Sequence, residues 1–159
     1  MNLTYRSIDY SIDYDNVLNI TGSSGYFEDT EVELAIHYFN ENKEKGDKCE
    51  HKFLFADLDG KTVGYVNYGE ASHSGQSYYI HWIAIDNEFR NKGLGKLLLA
   101  ETERIIKETG AKKIFVETSS KEDYKSTQEF YLRCGYVIEA TLKRFYSDTD
   151  DQLIFSKEI

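Results

Sequence analysis

The residues with the clearest chemical pattern form a short glycine-containing segment, Arg90-Asn91-Lys92-Gly93-Leu94-Gly95-Lys96. Gly93 and Gly95 lack a Cβ, so the backbone can turn sharply there and approach a ligand closely. The segment lies between a strand-like run and a helix-like run, so free backbone N–H groups at the helix start point into one small space. Those donors and the helix dipole suit a phosphate group. A plain strand-to-helix turn that uses glycine for geometry alone is the competing interpretation.

Local charge also favours an anion. Arg90, Lys92 and Lys96 lie in this segment, although the whole chain has a net charge of −9. Two other phosphate motifs are excluded by position. A dinucleotide fingerprint needs glycine or alanine where Leu98 stands, and a P-loop needs glycine at Arg90 and serine or threonine at Leu97.

The elements around this segment follow from hydrophobic periodicity and from glycines, since the chain has no proline. Asp29 or Thr30 can begin a helix that ends near Gly46, with a capping box between Thr30 and Glu33. Two strands follow, joined by Asp59-Gly60, a dipeptide typical of tight hairpin turns. They are Lys52 to Leu58 and Thr62 to Tyr68.

The second half of the chain alternates between strand-like and helix-like runs. The expected strands are Tyr78 to Ile85, Lys113 to Thr118, Tyr136 to Leu142 and Gln152 to Lys157; the expected helices are Leu94 to Gly110 and Ser126 to Arg133. This order predicts an α+β fold, with a mixed, mainly antiparallel twisted sheet flanked by helices. No repeat or linker interrupts the chain, so residues 1–159 are expected to form a single domain.

Composition restricts the partners and the compartment. The negative net charge argues against nucleic acid and against an anionic membrane surface, because both are bound mainly through Lys and Arg. No apolar run is long enough to span a bilayer, and the N-terminus lacks the pattern of a secretory signal. Cys49 and Cys134 form neither a disulfide framework nor, with the four histidines, a metal-ligand pattern. A cytoplasmic protein without a metal is expected.

Two segments at a definite separation carry a resemblance. Arg-x-x-Gly-x-Gly begins at Arg90, directly after Ile83-Ala84-Ile85-Asp86-Asn87-Glu88-Phe89, and Phe130-Tyr131-Leu132-Arg133-Cys134-Gly135-Tyr136 follows one helix and one strand later. The first resembles motif A of the GNAT family of N-acetyltransferases, and the second resembles that family's F-Y-x-x-x-G-[FY] signature. The resemblance extends from about Lys52 to the C-terminus.

The resemblance implies acetyl-CoA as co-substrate and assigns roles within its motifs. The main chain at Ile83 and Ile85 would hydrogen-bond the pantetheine arm, and the segment from Arg90 to Lys96 would hold the pyrophosphate. Splayed central strands would supply the slot for the cofactor. Tyr131 would protonate the departing thiolate, and its alternative is a core aromatic residue on a helix. Many members have a cofactor-contacting asparagine at the position where this chain has Tyr124.

A base must accept the proton of the attacking amine. His81 is the first candidate, because strand alternation places it on the same face as Ile83 and Ile85. Another family member has a functional histidine at the matching position, and an ordinary histidine pKa near 6.5 suits this role. A packed histidine is the alternative interpretation, and Glu117 and Glu70 are weaker candidates for the base.

The expected reaction is direct transfer of an acetyl group from acetyl-CoA to the primary amine of a small molecule. Two other functions are compatible with these residues: acetylation of a protein or peptide, and acyl-CoA sensing without catalysis. The identity of the acceptor is not determined by the sequence. A homodimer is compatible with the sequence, which does not determine the oligomeric state.

Overall fold

The computed structural model describes residues 2–159, which form seven strands and four α-helices. The strands are β1 (Leu3–Ser7), β2 (Lys52–Leu58), β3 (Lys61–Glu70), β4 (Ser77–Ile85), β5 (Lys113–Ser119), β6 (Val137–Ser147) and β7 (Asp150–Glu158). The helices are α1 (Asp13–Ser23), α2 (Asp29–Lys45), α3 (Leu94–Glu108) and α4 (Lys125–Arg133).

The strands form one sheet in the order β1-β2-β3-β4-β5-β7-β6. β4 and β5 run parallel, whereas the pairs β1–β2, β2–β3, β5–β7 and β6–β7 are antiparallel. The predicted α+β class with a mixed, mainly antiparallel sheet is therefore confirmed. No helix among residues 2–159 combines the length and apolar character needed to cross a membrane.

The chain divides into two compact units. The first unit comprises residues 2–69 and Trp82–Arg104, and contains β1 to β3, the second half of β4, α1, α2 and most of α3. Its core is an aromatic-rich cluster that α1 and α2 share with β2, β3 and β4. The members are Val17, Ile20, Ala35, Phe39, Phe53, Phe55, Tyr65 and Ala84.

The hairpin of β2 and β3 has the predicted turn. Asp59 (φ 50°) and Gly60 (φ 85°) are both left-handed, as a two-residue hairpin loop of the favoured twist requires. β1, which the sequence analysis did not predict, pairs with β2 and contributes Arg6. The Arg6 guanidinium donates to the carboxylates of Asp57 and of the fully buried Asp13, at 2.7 Å each. This cluster connects β1 and β2 to the first turn of α1.

The N-terminus of α2 differs from the prediction. The capping box forms between Glu28 and Glu31, with the Glu28 N–H donating to Glu31 Oε1 at 3.1 Å. The predicted box between Thr30 and Glu33 is wrong, because the helix already begins at Asp29 and Thr30 lies within its first turn. A carboxylate before the helix serves as well as a hydroxyl, since both accept from free N–H groups.

The second unit comprises Glu70–His81 and Ile105–Ile159, and contains the first half of β4, β5, β7, β6 and α4. In the parallel pair, Tyr78 lies opposite Ile114 and Tyr79 opposite Phe115. β6 is longer than the predicted Tyr136 to Leu142 and forms the outer edge of the sheet. The buried core of this unit includes Ile80, Ile114, Val116, Tyr131, Tyr136 and Phe155.

Candidate active site

The glycine segment forms a compact turn between β4 and α3. The Asp86 carboxylate accepts from the Glu88 N–H at 2.9 Å and begins a single 3-10 turn, Asn87–Phe89. Asn91 (φ 61°) and Gly93 (φ 78°) are left-handed, and α3 begins at the next residue, Leu94. Left-handed residues alternating with right-handed ones turn successive N–H groups toward one side, which makes a concave site for anions.

The start of α3 supplies further donors. The Leu97 N–H donates to the Gly93 carbonyl at 3.3 Å. The amides of Leu94, Gly95 and Lys96 precede this bond in the first turn, where no helical acceptor is available. The Lys92 and Lys96 side chains are exposed, and the first turn of α3 contains no acidic residue. This turn can therefore hold a phosphate through backbone donors and two exposed cations.

Arg90 has a different contact from its two basic neighbours. Its Nη1 donates to the Ser24 carbonyl at 2.5 Å, and its guanidinium lies over the Tyr26 ring at 4.0 Å. The side chain thus attaches the glycine segment to the residues that follow α1. Sequence reasoning missed this contact because the two residues are 66 positions apart.

The end of β4 carries Ile83 and Ile85, which are both half-buried. Next to them, β3 has Gly64, where an added Cβ would lie 2.6 Å from Ile85 Cδ1 and 3.0 Å from the Ala84 carbonyl. The Asp86 N–H donates to the Val63 carbonyl at 2.8 Å. Gly64 therefore allows β3 and β4 to approach closely, which sets the main-chain path at Ile83 and Ile85. Their role toward pantetheine stays a prediction.

The second motif has a structural explanation in the C-terminal cap of α4. Gly135 has φ 91°, its N–H donates to the Leu132 carbonyl, and the Tyr136 N–H donates to the Tyr131 carbonyl at 3.0 Å. This pair of bonds is the Schellman motif, which needs glycine just after the helix and favours an apolar contact behind it. The Tyr131 and Tyr136 rings provide that contact at 5.5 Å.

Tyr131 is buried within the second unit, with 4% of its surface exposed. Its ring also contacts Phe130 at 5.2 Å and Phe155 at 6.0 Å. Burial raises the pKa of the Tyr131 phenol well above its ordinary value of 10.0. The hydroxyl is protonated at neutral pH, as a proton donor must be, and the raised pKa makes it a weaker acid than an ordinary phenol. Its catalytic role stays a prediction.

His81 lies on an exposed polar face of the second unit. Its ring stacks on Tyr79 at 5.9 Å, and the Tyr79 hydroxyl hydrogen-bonds the Glu117 carboxylate. Burial and the nearby Glu117 charge raise the pKa of Tyr79. Gln152 Nε2 lies 3.5 Å from Glu117 Oε2. The structure thus brings two of the three candidate bases, His81 and Glu117, into contact with the same Tyr79 side chain. The sequence analysis did not single out Tyr79, although it lies on the same strand face as His81.

Glu70, the third candidate base, has a structural contact instead. Its Oε1 accepts from the Gly75 N–H at 2.5 Å and closes the loop between β3 and β4. An open cavity of about 300 Å³ lies beside that loop. Its walls combine serine hydroxyls with aromatic and aliphatic side chains: Ala71, Ser72, Ser74, Ser77, Tyr79, Phe115 and Ile154. Within the part of the chain that the structure describes, no three His, Cys, Asp or Glu side chains group as metal ligands.

With this geometry established, comparison with known proteins identifies the family. The model of the acetyltransferase (GNAT) family matches residues 16–136, which is more than half of the chain. The chain belongs to the GNAT family.

Individual GNAT relatives agree with this assignment. An uncharacterised N-acetyltransferase from Chlorobaculum tepidum is 32% identical over 84 residues, which is 53% of this chain and 48% of that protein. The aligned region thus spans about half the length of that curated relative. A solved structure assigned to the GNAT family, from Desulfovibrio desulfuricans, has a TM-score of 0.94 and 33% identity, covering 99% of both chains.

A third relative carries a ligand. A GNAT-family acetyltransferase from Elizabethkingia anophelis, solved with acetyl-CoA bound, has a TM-score of 0.74 and 19% identity and covers 99% of both chains. At that identity the likeness shows the fold alone. The GNAT family match includes the glycine segment, His81 and Tyr131, but it ends at Tyr136, so β6 and β7 lie outside it.

Proposed function

We propose that this GNAT protein transfers the acetyl group of acetyl-CoA to the primary amine of a small molecule by direct attack. The observation that carries the proposal is the left-handed turn of Asn91 and Gly93 at the start of α3, inside the family-matched region. Left-handed turns at the start of a helix typically present backbone N–H groups to phosphate groups. Acetyl-CoA combines a diphosphate with an activated acyl group.

The donor is held by the residues from Arg90 to Lys96. Backbone amides of the turn and of the first turn of α3 bind the pyrophosphate, and the exposed Lys92 and Lys96 add charge. Arg90 stabilises the turn through Ser24 and Tyr26. The main chain at Ile83 and Ile85 binds the pantetheine arm.

Proton transfers accompany each stage of the reaction. His81 accepts a proton from the acceptor ammonium, which leaves the amine nitrogen free to attack. The new C–N bond forms at the acetyl carbonyl carbon, the C–S bond breaks, and the Tyr131 hydroxyl donates its proton to the departing sulfur. The nitrogen, now positively charged, releases its second proton to water, and the Tyr131 phenolate regains a proton from water. The exposure of His81 suits exchange of its proton with water.

A small acceptor is supported by the cavity in the second unit. Its volume of about 300 Å³ lies at the lower end of small-ligand sites. Tyr79 and Phe115 offer apolar walls, while the Glu117 carboxylate bonded to Tyr79 can attract an ammonium group. A compact amine with an apolar or aromatic group matches this chemistry.

A peptide acceptor is the second candidate, and one observation favours it. Polar contacts continue beyond the cavity, since Gln152 Nε2 lies 3.1 Å from the Tyr146 hydroxyl as well as 3.5 Å from Glu117. Tyr146 is 48% exposed. An extended chain with its terminal amine near Glu117 could follow this strip.

A thiol-release screen with acetyl-CoA tests the proposal. The acceptors are polyamines, amino acids, aromatic amines and peptides with free N-termini, with acetyl-CoA binding measured separately by calorimetry. We expect turnover with small amines, and a kcat/KM higher than that of any peptide. Turnover with peptides alone overturns the small-molecule assignment. Tight acetyl-CoA binding without thiol release for any acceptor overturns catalysis and supports an acyl-CoA sensor.

A further inference from the structure

The acidic turn between β6 and β7 contains a buried carboxylate. Asp150, the first residue of β7, is only 6% exposed, whereas the preceding Asp148 and Thr149 are exposed. A carboxylate is seldom removed from water unless its oxygens accept hydrogen bonds. The bonds that Asp150 accepts within the chain therefore indicate its role.

Three donors bind the same oxygen of this carboxylate. Asp150 Oδ1 accepts from the Ser119 hydroxyl at 2.6 Å, from the Ser120 N–H at 3.2 Å and from the Ser120 hydroxyl at 3.4 Å. These donors lie where β5 ends, because the register of β5 with β7 finishes at Ser119 opposite Gln152. Beyond that pair the chain turns toward α4, and Asp150 supplies an acceptor for the polar groups at the turn.

The same segment is bound to α4, the helix that carries Tyr131. Gln128 Nε2 donates to the Ser119 carbonyl at 2.8 Å, and the Ser119 hydroxyl accepts from the Lys121 N–H at 3.1 Å. Gln128 precedes Tyr131 by three positions, so the two side chains are neighbours on the helix surface. A continuous series of hydrogen bonds thus runs from Asp150 through Ser119 to Gln128, within one turn of the proposed proton donor.

Apolar packing complements this series but does not replace it. The Tyr131 ring contacts Phe155 of β7 at 6.0 Å and Tyr136, just beyond the helix, at 5.5 Å. Such contacts are non-directional, and α4 has only nine residues. The bond from Gln128 to Ser119 therefore supplies a directional restraint on the position of the helix relative to β5.

We propose that Asp150 is a positioning residue for acetyl transfer. Its buried carboxylate holds the end of β5, which in turn holds α4 and places the Tyr131 hydroxyl for protonation of the departing thiolate. The inference rests on the proposed role of Tyr131. A displacement of about 1 Å between reacting groups can lower a rate about 100-fold, so a small movement of α4 is sufficient to reduce turnover. Asp150 acts through hydrogen-bond geometry and not through attraction of a cationic acceptor.

Three substitutions separate geometry from charge. Asp150→Ala removes the acceptor of all three bonds and should lower kcat about 10- to 100-fold, with the KM for acetyl-CoA within about twofold of the wild type. Asp150→Asn keeps an oxygen that can accept the three bonds and should retain kcat within about threefold. Asp148→Ala, a matched truncation at an exposed position of the same turn, should behave as the wild type. A kcat of Asp150→Asn as low as that of Asp150→Ala would assign the effect to charge and overturn the proposal.

A double-mutant cycle tests whether Asp150 acts through Tyr131. Tyr131→Phe has no phenolic proton, so the position of its ring no longer affects that proton transfer. The kcat of Asp150→Ala combined with Tyr131→Phe should therefore equal that of Tyr131→Phe within about threefold. A double variant that is slower by the full factor of Asp150→Ala would overturn the proposal. Wild-type kcat for Tyr131→Phe alone would refute the proposed proton donor itself, so the two failures are distinguishable.

Amide hydrogen exchange gives a readout that is independent of turnover. In Asp150→Ala the amides of α4 should exchange about tenfold faster or more, while those of α2 in the first unit stay unchanged. Gln128→Ala breaks the series at its other end and should reproduce both the lower kcat and the faster exchange, which keeps the test valid if Asp150→Ala does not fold. Unchanged exchange of α4 in Gln128→Ala, or a kcat equal to that of the wild type, would overturn the proposal.

Discussion

The Arg90 guanidinium lies 4.0 Å from the centre of the Tyr26 ring and donates a hydrogen bond to the neighbouring Ser24 carbonyl. The first residue of the glycine motif is therefore bound to the segment after α1 and is not a freely mobile cation. Gly25 lies between those two partners with φ 77°. The turn that we assign to the donor and the segment Ser24-Gly25-Tyr26 are thus mechanically connected within the first unit.

Removing the Arg90 side chain should loosen that segment. Arg90→Gln loses a charged hydrogen bond and a cation–π contact, together about 1–3 kcal/mol of local stability. Amide hydrogen exchange of Gly25 to Phe27 should become about tenfold faster or more. Lys92→Gln is the control, because Lys92 is exposed and its ring contact with Phe89 is 5.4 Å. Equal amide exchange rates of Gly25 to Phe27 in the two variants would contradict the stabilisation of this segment by Arg90.

Gly93→Ala should weaken both the fold and donor binding. At φ 78° an L-residue is strained by about 1 kcal/mol, and no atom lies within 4 Å of an added Cβ, so the cost is conformational. Acetyl-CoA affinity, measured by calorimetry, should fall as the turn shifts.

Gly22→Ala is the matched control for that substitution. Gly22 lies in α1, has no positive φ and also has open space around an added Cβ. The same change should stabilise the protein by about 0.5–1 kcal/mol through helix propensity. If chemical denaturation shows that both variants are stabilised, or that both are destabilised, the conformational explanation is wrong.

Alkaline pH should destabilise the fold through Tyr65. Burial raises the pKa of Tyr65 from 10.0 to about 12, although hydrogen bonds from Thr21 and Trp82 oppose the shift. Below about pH 10 the phenol is protonated in both states, so its contribution is constant. Between pH 10 and 12 the unfolded chain releases the proton first, and unfolding is favoured by about 2 kcal/mol in total.

The comparison with Tyr65→Phe isolates this effect. The variant leaves Trp82 Nε1, which lies 2.9 Å from the Tyr65 hydroxyl, without that partner, and should cost about 1–3 kcal/mol at neutral pH. The free energy of unfolding of Tyr65→Phe should fall less steeply above pH 10 than that of the wild type. The difference in stability between the two proteins should therefore become smaller as the pH rises. If the free energies of unfolding of the two proteins fall in parallel above pH 10, ionisation of Tyr65 does not contribute to alkaline unfolding.

The pH dependence of turnover should distinguish the candidate bases. If His81 accepts the amine proton, kcat/KM rises with pH along an acid limb that depends on His81. His81→Gln should remove that limb and lower kcat by about 100-fold. Glu117→Gln should retain the limb and mainly raise the acceptor KM. Retention of the limb in His81→Gln, with its loss in Glu117→Gln, would transfer the role to Glu117.

Local signals predicted the elements that depend on local chemistry. Asp59-Gly60 predicted the hairpin because two left-handed residues favour that dipeptide. Gly135 with Tyr136 was interpreted only as part of a family signature, and the structure shows that the pair also caps the end of α4. Contacts between distant residues could not be predicted. The Arg90–Ser24 bond and the stacking of His81 on Tyr79 against Glu117 depend on strand and helix placement that no single segment encodes.

The end of β6 and the start of α2 were the least predictable features, because both depend on side-chain contacts that hydrophobic periodicity does not report. β6 continues to Ser147 because Asp151 holds the bulge at Arg144, whereas hydrophobic alternation ends near Leu142. The residue that caps α2 is Glu28 and not Asp29 or Thr30, because the Glu28 side chain accepts from the free backbone N–H of Glu31.

Tyr131→Phe tests the central claim most directly. The variant keeps the buried ring and its contacts with Tyr136 and Phe155, but it has no proton to donate to the departing thiolate. With an acceptor from the screen, kcat should fall about 10²–10⁴-fold, while acetyl-CoA affinity stays within about twofold. Tyr136→Phe, the same change on the adjacent ring, should retain wild-type kcat. Wild-type turnover by Tyr131→Phe would contradict the account.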